Sequence, residues 1–340
     1  MSTFVDLHRS DFNFSNLFDP SSPSGSFGDI LWRDAAGDYL LWTMIENTPS
    51  TITALPRVTP DWHVKAAADF DLSANTFTAH SPLINADILW QNDNGDLAVW
   101  EMNGATPTAI HALGTQGPTW RVVGDNFFVG VSIGDDQILF QNDDGALAIW
   151  AGINPATGSV QLKLAGIQNP GPTWHVVGTG DTDDDGRAGI LWQNDNGALA
   201  LWENAVLHGF TGGTVSFDTI AALPTVDPTW HVKGMADVSG NGQADIVFQH
   251  DSGAVVVWDM NGTMITAMSL ININPGPSWH IVGMRDMDNN QIADILFQND
   301  NGAAAVWEDY QALGSTSATF NKVLAIDPNP NPNGHVWDLL

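Results

Sequence analysis

The chain has 340 residues, of which 39 are acidic and 10 basic, for a net charge of −29. Such a surface repels nucleic acid and anionic membranes and attracts cations. The absence of cysteine excludes disulfides and thiolate metal sites, and no apolar run is long enough to span a bilayer as a helix.

The first segment, MSTFVDLHRSDFNFSN, has no basic stretch followed by an apolar run, so no ordinary signal peptide is expected. From there the chain repeats itself. ADILWQNDNGDLAVW from Ala86 returns as AGILWQNDNGALALW from Ala188, ADIVFQHDSGAVVVW from Ala244 and ADILFQNDNGAAAVW from Ala293. One aromatic column holds Trp32, Trp90, Phe140, Trp192, Phe248 and Phe297. Ten residues later stand Trp42, Trp100, Trp150, Trp202, Trp258 and Trp307. A third column holds Trp62, Trp120, Trp174, Trp230, Trp279 and Trp337, and the three columns contain all 15 tryptophans.

The period of roughly 50 residues is that of a propeller blade. Each repeat reads as β throughout. ADILF is a strand, QNDNG a turn whose Asn-Gly tolerates positive φ, and AAAVW or LALW the next strand. A short strand such as TMITAMS follows, then a Pro-Gly loop, NPGPSW, leads into WHIVG. Both faces of these strands carry apolar residues, as in a sheet held between neighbours. The expected fold is all-β: a six-bladed β-propeller with four-stranded blades. The approximate blades are 4–57, 58–115, 116–169, 170–225, 226–274 and 275–331, in one domain. Residues 332–340 are expected to close the ring as a strand of the first blade; Phe4 stands where Trp62 sits in the next repeat, so which terminus lies innermost stays open.

Seven residues past the third-column tryptophan come the aspartate loops DTDDDGRAG, DVSGNGQAD and DMDNNQIAD. Oxygen-bearing side chains fall at loop positions 1, 3 and 5: Asp181, Asp183, Asp185; Asp237, Ser239, Asn241; Asp286, Asp288, Asn290. Position 9 is Asp245 and Asp294 but Gly189 in the first of the three. Backbone carbonyls at position 7 (Arg187, Gln243, Ile292) complete an oxygen cage, and a cage of oxygens suits calcium, which takes about six to eight of them. Stretched versions begin at Asp11 and Asp69, each 18 residues before a position-9 aspartate, Asp29 and Asp87. There Asp11, Asn13 and Ser15, or Asp69, Asp71 and Ser73, are the candidate ligands. Three calcium sites are expected and five are conceivable; the third repeat, with Phe127 at position 1, is expected to be metal-free.

These loops, followed by ADILWQND, resemble FG-GAP/VCBS repeats, which occur in integrin α-subunit heads and many bacterial extracellular proteins. The resemblance covers nearly the whole chain, with departures at Gly189, Phe127 and the stretched loops. It implies a calcium-stabilised propeller with each ion in the hairpin joining a blade's first two strands. It also implies an extracellular or cell-surface location and, since some such propellers are lectins, a glycan or cell-surface ligand.

Two further repeated features are candidates. His63, His175, His231 and His280 follow the third-column tryptophan, with Arg121 in the same place; they are read as hydrogen-bonding between neighbouring blades rather than as a metal ring. The QND turns, through Asn92, Asp93, Asn194, Asp195, Asn299 and Asp300, are expected to share a rim with Trp120, Trp174, Trp230 and Trp279. Amide and carboxylate groups beside tryptophan suit sugar hydroxyls and a pyranose face, and repetition would give avidity. No nucleophile elbow, P-loop or HExxH motif is present, and His208 is a lone catalytic candidate. A non-enzymatic recognition module is therefore expected, with a polysaccharide lyase or hydrolase and a purely structural surface protein as alternatives.

Overall fold

The computed structural model describes residues 29–34, 36–45, 48–68, 70, 86–130, 136–154, 157–209, 213–288, 290–326 and 337–339. These form an all-β, propeller-like fold of antiparallel four-strand runs. The first run is β1 (Ile30–Asp34), β2 (Tyr39–Ile45) and β3 (Thr48–Ala54); the second is β4 (Trp62–Ala68), β5 (Asp87–Asn92), β6 (Asp96–Asn103) and β7 (Thr106–Thr115). The third is β8 (Trp120–Asn126), β9 (Gln137–Asn142), β10 (Leu147–Ile153) and β11 (Val160–Leu164). The fourth is β12 (Trp174–Gly180), β13 (Gly189–Asn194), β14 (Leu199–His208) and β15 (Thr214–Leu223). Then come β16 (Trp230–Ala236), β17 (Asp245–His250), β18 (Val255–Asn261) and β19 (Met264–Ile271), and β20 (Trp279–Arg285), β21 (Asp294–Asn299), β22 (Ala304–Ala312) and β23 (Ser317–Ile326). Short parallel pairing of Leu270 with Ser317 and Ile271 with Ala318 fuses these last two runs into one eight-stranded sheet. The last strand, β24 (Trp337–Leu339), pairs antiparallel with β1, so the C-terminal segment supplies the fourth strand of the first sheet.

The hydrophobic residues on the two faces of each run bury against different neighbours. Ile88 and Trp90 pack with Leu31, Tyr39 and Leu41 of the preceding sheet, whereas Leu89 and Val99 pack with Ile138 and Phe140 of the following one. The same sharing continues around the molecule. The final cluster puts Leu296 and Val306 against Ile30, Trp32 and Trp42, so the last run packs on the first and a ring closes. This is why the strands read as continuous apolar segments.

First- and second-column aromatics stack within each run, from Trp32–Trp42 at 5.1 Å between centroids to Phe297–Trp307 at 4.4 Å. Tilted pairs at this distance match the preferred geometry of aromatic quadrupoles. The first strands of successive runs, β4, β8, β12, β16 and β20, lie side by side and form the inner wall. Each carries a bulge after its third residue, at Val64, Val122, Val176, Val232 and Ile281. Close approach here calls for glycine: a Cβ on Gly124 would lie 2.9 Å from Thr179 Cγ2, and one on Gly178 3.0 Å from Met235 Cγ.

Candidate functional site

The hairpin connections divide the ring into two faces. Loops between a run's first and second strands carry the aspartates; turns between its second and third strands carry the QND sequences and lie beside the third-column tryptophans.

On the aspartate face, each loop is folded by its own side chains. Asp181 Oδ1 accepts from Asp184 N (2.8 Å) and its Oδ2 from Gly186 N (2.8 Å), while Asp185 Oδ1 accepts from Arg187 N (2.8 Å). The next loop repeats this: Asp237 accepts from Gly240, Asn241 and Gly242, and Asn241 Oδ1 from Gln243 N. In the last, Asp286 accepts from Asn290 and Gln291, and Asn290 Oδ1 from Ile292 N. The side-chain oxygens thus converge on the inside of a tight turn. Ligand atoms of Asp181, Asp183 and Asp185 lie within 4.8 Å of one another, as do those of Asp286, Asp288 and Asp294. Ser239 sits in the corresponding turn, with its backbone N–H held by Asp245 Oδ2 (2.8 Å).

Burial pushes the Asp245 carboxyl up to about 7, against backbone hydrogen bonds that oppose the shift. Asp294 rises to about 8, mainly by burial, with Asp288, Glu308 and Asp286 adding repulsion. Asp181 is raised by burial as well. Asp288 Oδ1 and Glu308 Oε1 are buried with no hydrogen-bond partner.

Successive loops are also strung together. Ala188 N donates to Phe127 O (2.8 Å), Ala244 N to Asp181 O (2.6 Å) and Ala293 N to Asp237 O (2.7 Å). In the third run a glutamine takes the place of the position-9 aspartate. Gln137, in the position-9 place, accepts from Phe128 N and Val129 N and donates to Val129 O (2.8 Å), and both Phe128 and Val129 are fully buried.

Of the stretched loops, Asp11, Asn13, Ser15, Asp69, Asp71 and Ser73 lie outside the described residues. Asp29 and Asp87 are described and buried. Their Oδ1 atoms accept from Met44 N and Met102 N (both 3.0 Å), as Asp245 Oδ1 does from Met260 N. The position-9 aspartate is therefore a tie between second and third strands before it is anything else.

On the opposite face the polar groups of the expected rim bond within their turns and to neighbouring side chains. Asn92 Oδ1 accepts from Asn94 N and Asp96 N within its own turn; Asn194 donates to Thr173 Oγ1 and Asn299 to Ser278 Oγ. Asp93, Asp195 and Asp300 each hold a histidine of the same run, His63, His175 and His280, at 2.8–2.9 Å, and Asp251 holds His231 at 2.7 Å. Arg121 and Asp143 take this place in the third run, at 3.5 Å. Each histidine thus pairs with an aspartate of its own run, and His63 Nδ1 also meets Arg33 Nη1 of the preceding run at 3.3 Å, as the sequence reading expects of neighbouring blades. The glutamines join the runs as well. Gln91 Nε2 donates to Trp120 O (2.8 Å) and its Oε1 accepts from Val122 N (3.0 Å). Gln141 does the same with Trp174 and Val176, and Gln249 with Trp279 and Ile281. Trp120, Trp174, Trp230 and Trp279 are half-buried against the inter-sheet cores. His208 is exposed and hydrogen-bonds Ser216 Oγ (2.8 Å).

Sequence reasoning missed Glu203 and Glu308, which reach the loop face from the third strand of their runs. A signal was present: three of the chain's four glutamates, Glu101, Glu203 and Glu308, directly follow a second-column tryptophan.

No protein-family model matches the chain, and no curated protein matches it. Among solved structures it is similar to the C-terminal WD40 domain of Sif2, at 13% identity and TM-score 0.42, covering 88% of this chain and 80% of that one. It is also similar to a chain of a mitotic checkpoint complex, at 11% identity and TM-score 0.45, covering 95% and 81%. The FG-GAP/VCBS resemblance is corrected accordingly: no such family model matches, and the named neighbouring domain is a WD40 propeller. The lectin or adhesion function and the glycan partner, for which that resemblance was one support, are withdrawn with it. At these scores the neighbours themselves assign neither family nor function.

Proposed function

We propose that the chain is a non-enzymatic propeller scaffold of six four-stranded blades, whose aspartate loops bind calcium-type cations that stiffen one face. This reading counts the fused eight-stranded sheet as two blades, because a hydrophobic core lies between its halves and each half packs on a different neighbour. The observation that carries the cation reading is the repeated loop at Asp181, Asp237 and Asp286. In each, backbone N–H groups fix the first aspartate, and in the Asp181 and Asp286 loops three carboxylates bring ligand atoms within 4.8 Å of one another. A ligand that binds only the native state at a hundredfold excess over Kd adds about 2.7 kcal/mol per site. Calorimetric titration of chelator-treated protein with calcium is expected to show three ions and a raised melting temperature. A flat titration with an unchanged melting curve refutes the cation reading and leaves a propeller held by packing alone.

A further inference from the structure

Glu203 lies one strand away from the loop that begins at Asp181, beside Trp202. It is 2% exposed. A Cβ built on Gly189 would meet the Glu203 carboxyl carbon and both its oxygens at 2.3 Å. The Glu203 carboxylate therefore fills the space that the position-9 aspartate side chain occupies in the other two loops. Its Oε1 accepts from Thr182 Oγ1 (2.6 Å), at the loop position where Val238 and Met287 donate a backbone N–H to Asp245 and Asp294.

Glu308 stands at the same strand position in the last blade, beside Trp307 and in addition to Asp294, and is also 2% exposed. Lys322 Nζ takes Glu308 Oε2 and Asp288 Oδ2, each at 3.4 Å, so that Glu308 Oε1 and Asp288 Oδ1 are left buried and bare. In these two blades the residue after the glutamate adopts a left-handed backbone: Asn204 at φ 59° and Asp309 at φ 60°. At the corresponding strand position the first, second and fifth blades instead have a register shift, at Met44, Met102 and Met260.

We infer that Glu203 is a cross-strand cation ligand that replaces the missing aspartate at Gly189, and that Glu308 is its counterpart at the Asp286 loop. This rests on the loops being cation sites. A hard divalent cation such as calcium takes carboxylate oxygens at roughly 2.3–2.6 Å, and a side chain one methylene longer reaches the ion from the neighbouring strand where the loop's own strand offers only glycine.

The test is a crystal of the protein grown with calcium, beside calorimetric calcium titrations of variants. An ion in the Asp181 loop with a Glu203 oxygen in its coordination shell is expected. Glu203→Gln is expected to weaken one of the three sites at least tenfold, and Glu308→Gln another. The double variant Gly189→Asp/Glu203→Ala returns a carboxylate to position 9 and is expected to restore the first site. Asp183→Asn is the control for the loop itself. Loss of a site in Asp183→Asn with wild-type binding in Glu203→Gln and Glu308→Gln overturns the inference alone, as does a bound ion with Glu203 still turned to Thr182. Wild-type protein that takes up no calcium overturns the loop reading and this inference with it.

Discussion

The glutamine of each QND turn shows how one residue joins neighbouring blades. Gln249 is 4% exposed and satisfies one carbonyl and one N–H of the next inner strand. Replacing it by alanine leaves Trp279 O and Ile281 N unpaired, and buried orphans cost about 1–3 kcal/mol each. Gln249→Ala is expected to lower the unfolding free energy by about 2–4 kcal/mol in denaturant titrations; a loss below about 1 kcal/mol contradicts the bridging role. The position-9 carboxyls supply a pH signature. In metal-free protein, burial first of all raises Asp245 to about 7 and Asp294 to about 8. The folded state then binds more protons than the unfolded one between about pH 4 and 8, so stability falls as pH rises through that window. In chelator the melting temperature is expected to drop from pH 5 to 8, and Asp245→Asn/Asp294→Asn to flatten the slope. A chelated wild type that gains stability over this range contradicts the assignment. At this scale spacing alone does not reveal the local bonds of Asn92, Asp93 and their repeats, each of which meets a turn N–H, a hydroxyl or a histidine.

At the scale of strands, the aromatic columns were legible because the period-2 pattern and the Asn-Gly turns are local. What lies across a strand was not. Each second-column tryptophan is faced by one residue of the outer strand: Ile52 on Trp42, Ile110 on Trp100, Ile220 on Trp202, Met268 on Trp258 and Val323 on Trp307. These residues are 40–59% exposed, and they serve as covers for the ring beneath. The third blade uses Lys163 instead, opposite Trp150 with its Nζ 3.4 Å from the ring centroid. Burial lowers the Lys163 pKa. A cation over an indole is worth about 0.5–1 kcal/mol at an exposed site, close to what an apolar cover contributes there. Lys163→Met is therefore expected to shift stability by less than about 1 kcal/mol, whereas Trp150→Ala should cost about 3–5 kcal/mol. Thermal denaturation of the two variants distinguishes cover from core. Glu203 belongs to the same class of feature: its proximity to Gly189 depends on the pairing of β13 with β14 and on the left-handed Asn204, neither of which a linear motif displays.

Over the whole molecule, the loops form a series in place of independent sites. Ala244 hangs on Asp181 O and Ala293 on Asp237 O, so the first residue of one loop positions the eighth of the next. Gly240 also abuts Ile292: a Cβ there would lie 2.7 Å from Ile292 Cδ1. Disrupting the Asp286 loop should therefore reach its neighbour. Asp286→Ala is expected to remove its own cation and to weaken the one at Asp237 by about three- to tenfold, a coupling of roughly 0.6–1.4 kcal/mol. Wild-type affinity at the remaining sites would show that the series carries no coupling.

The parallel joint between β19 and β23 bears on how copies of the protein meet. A blade's outermost strand is a sheet edge, and an open edge is a template for another chain. Where Leu270 and Ile271 pair with Ser317 and Ala318, two such edges seal each other. Among the described residues, β3, β7, β11 and β15 have no partner on their outer side. The net charge of −29 opposes contact between copies, a long-range repulsion that salt screens and acid removes. Self-association under those conditions would begin at the four unpaired edges, with the sealed sector of the ring taking no part.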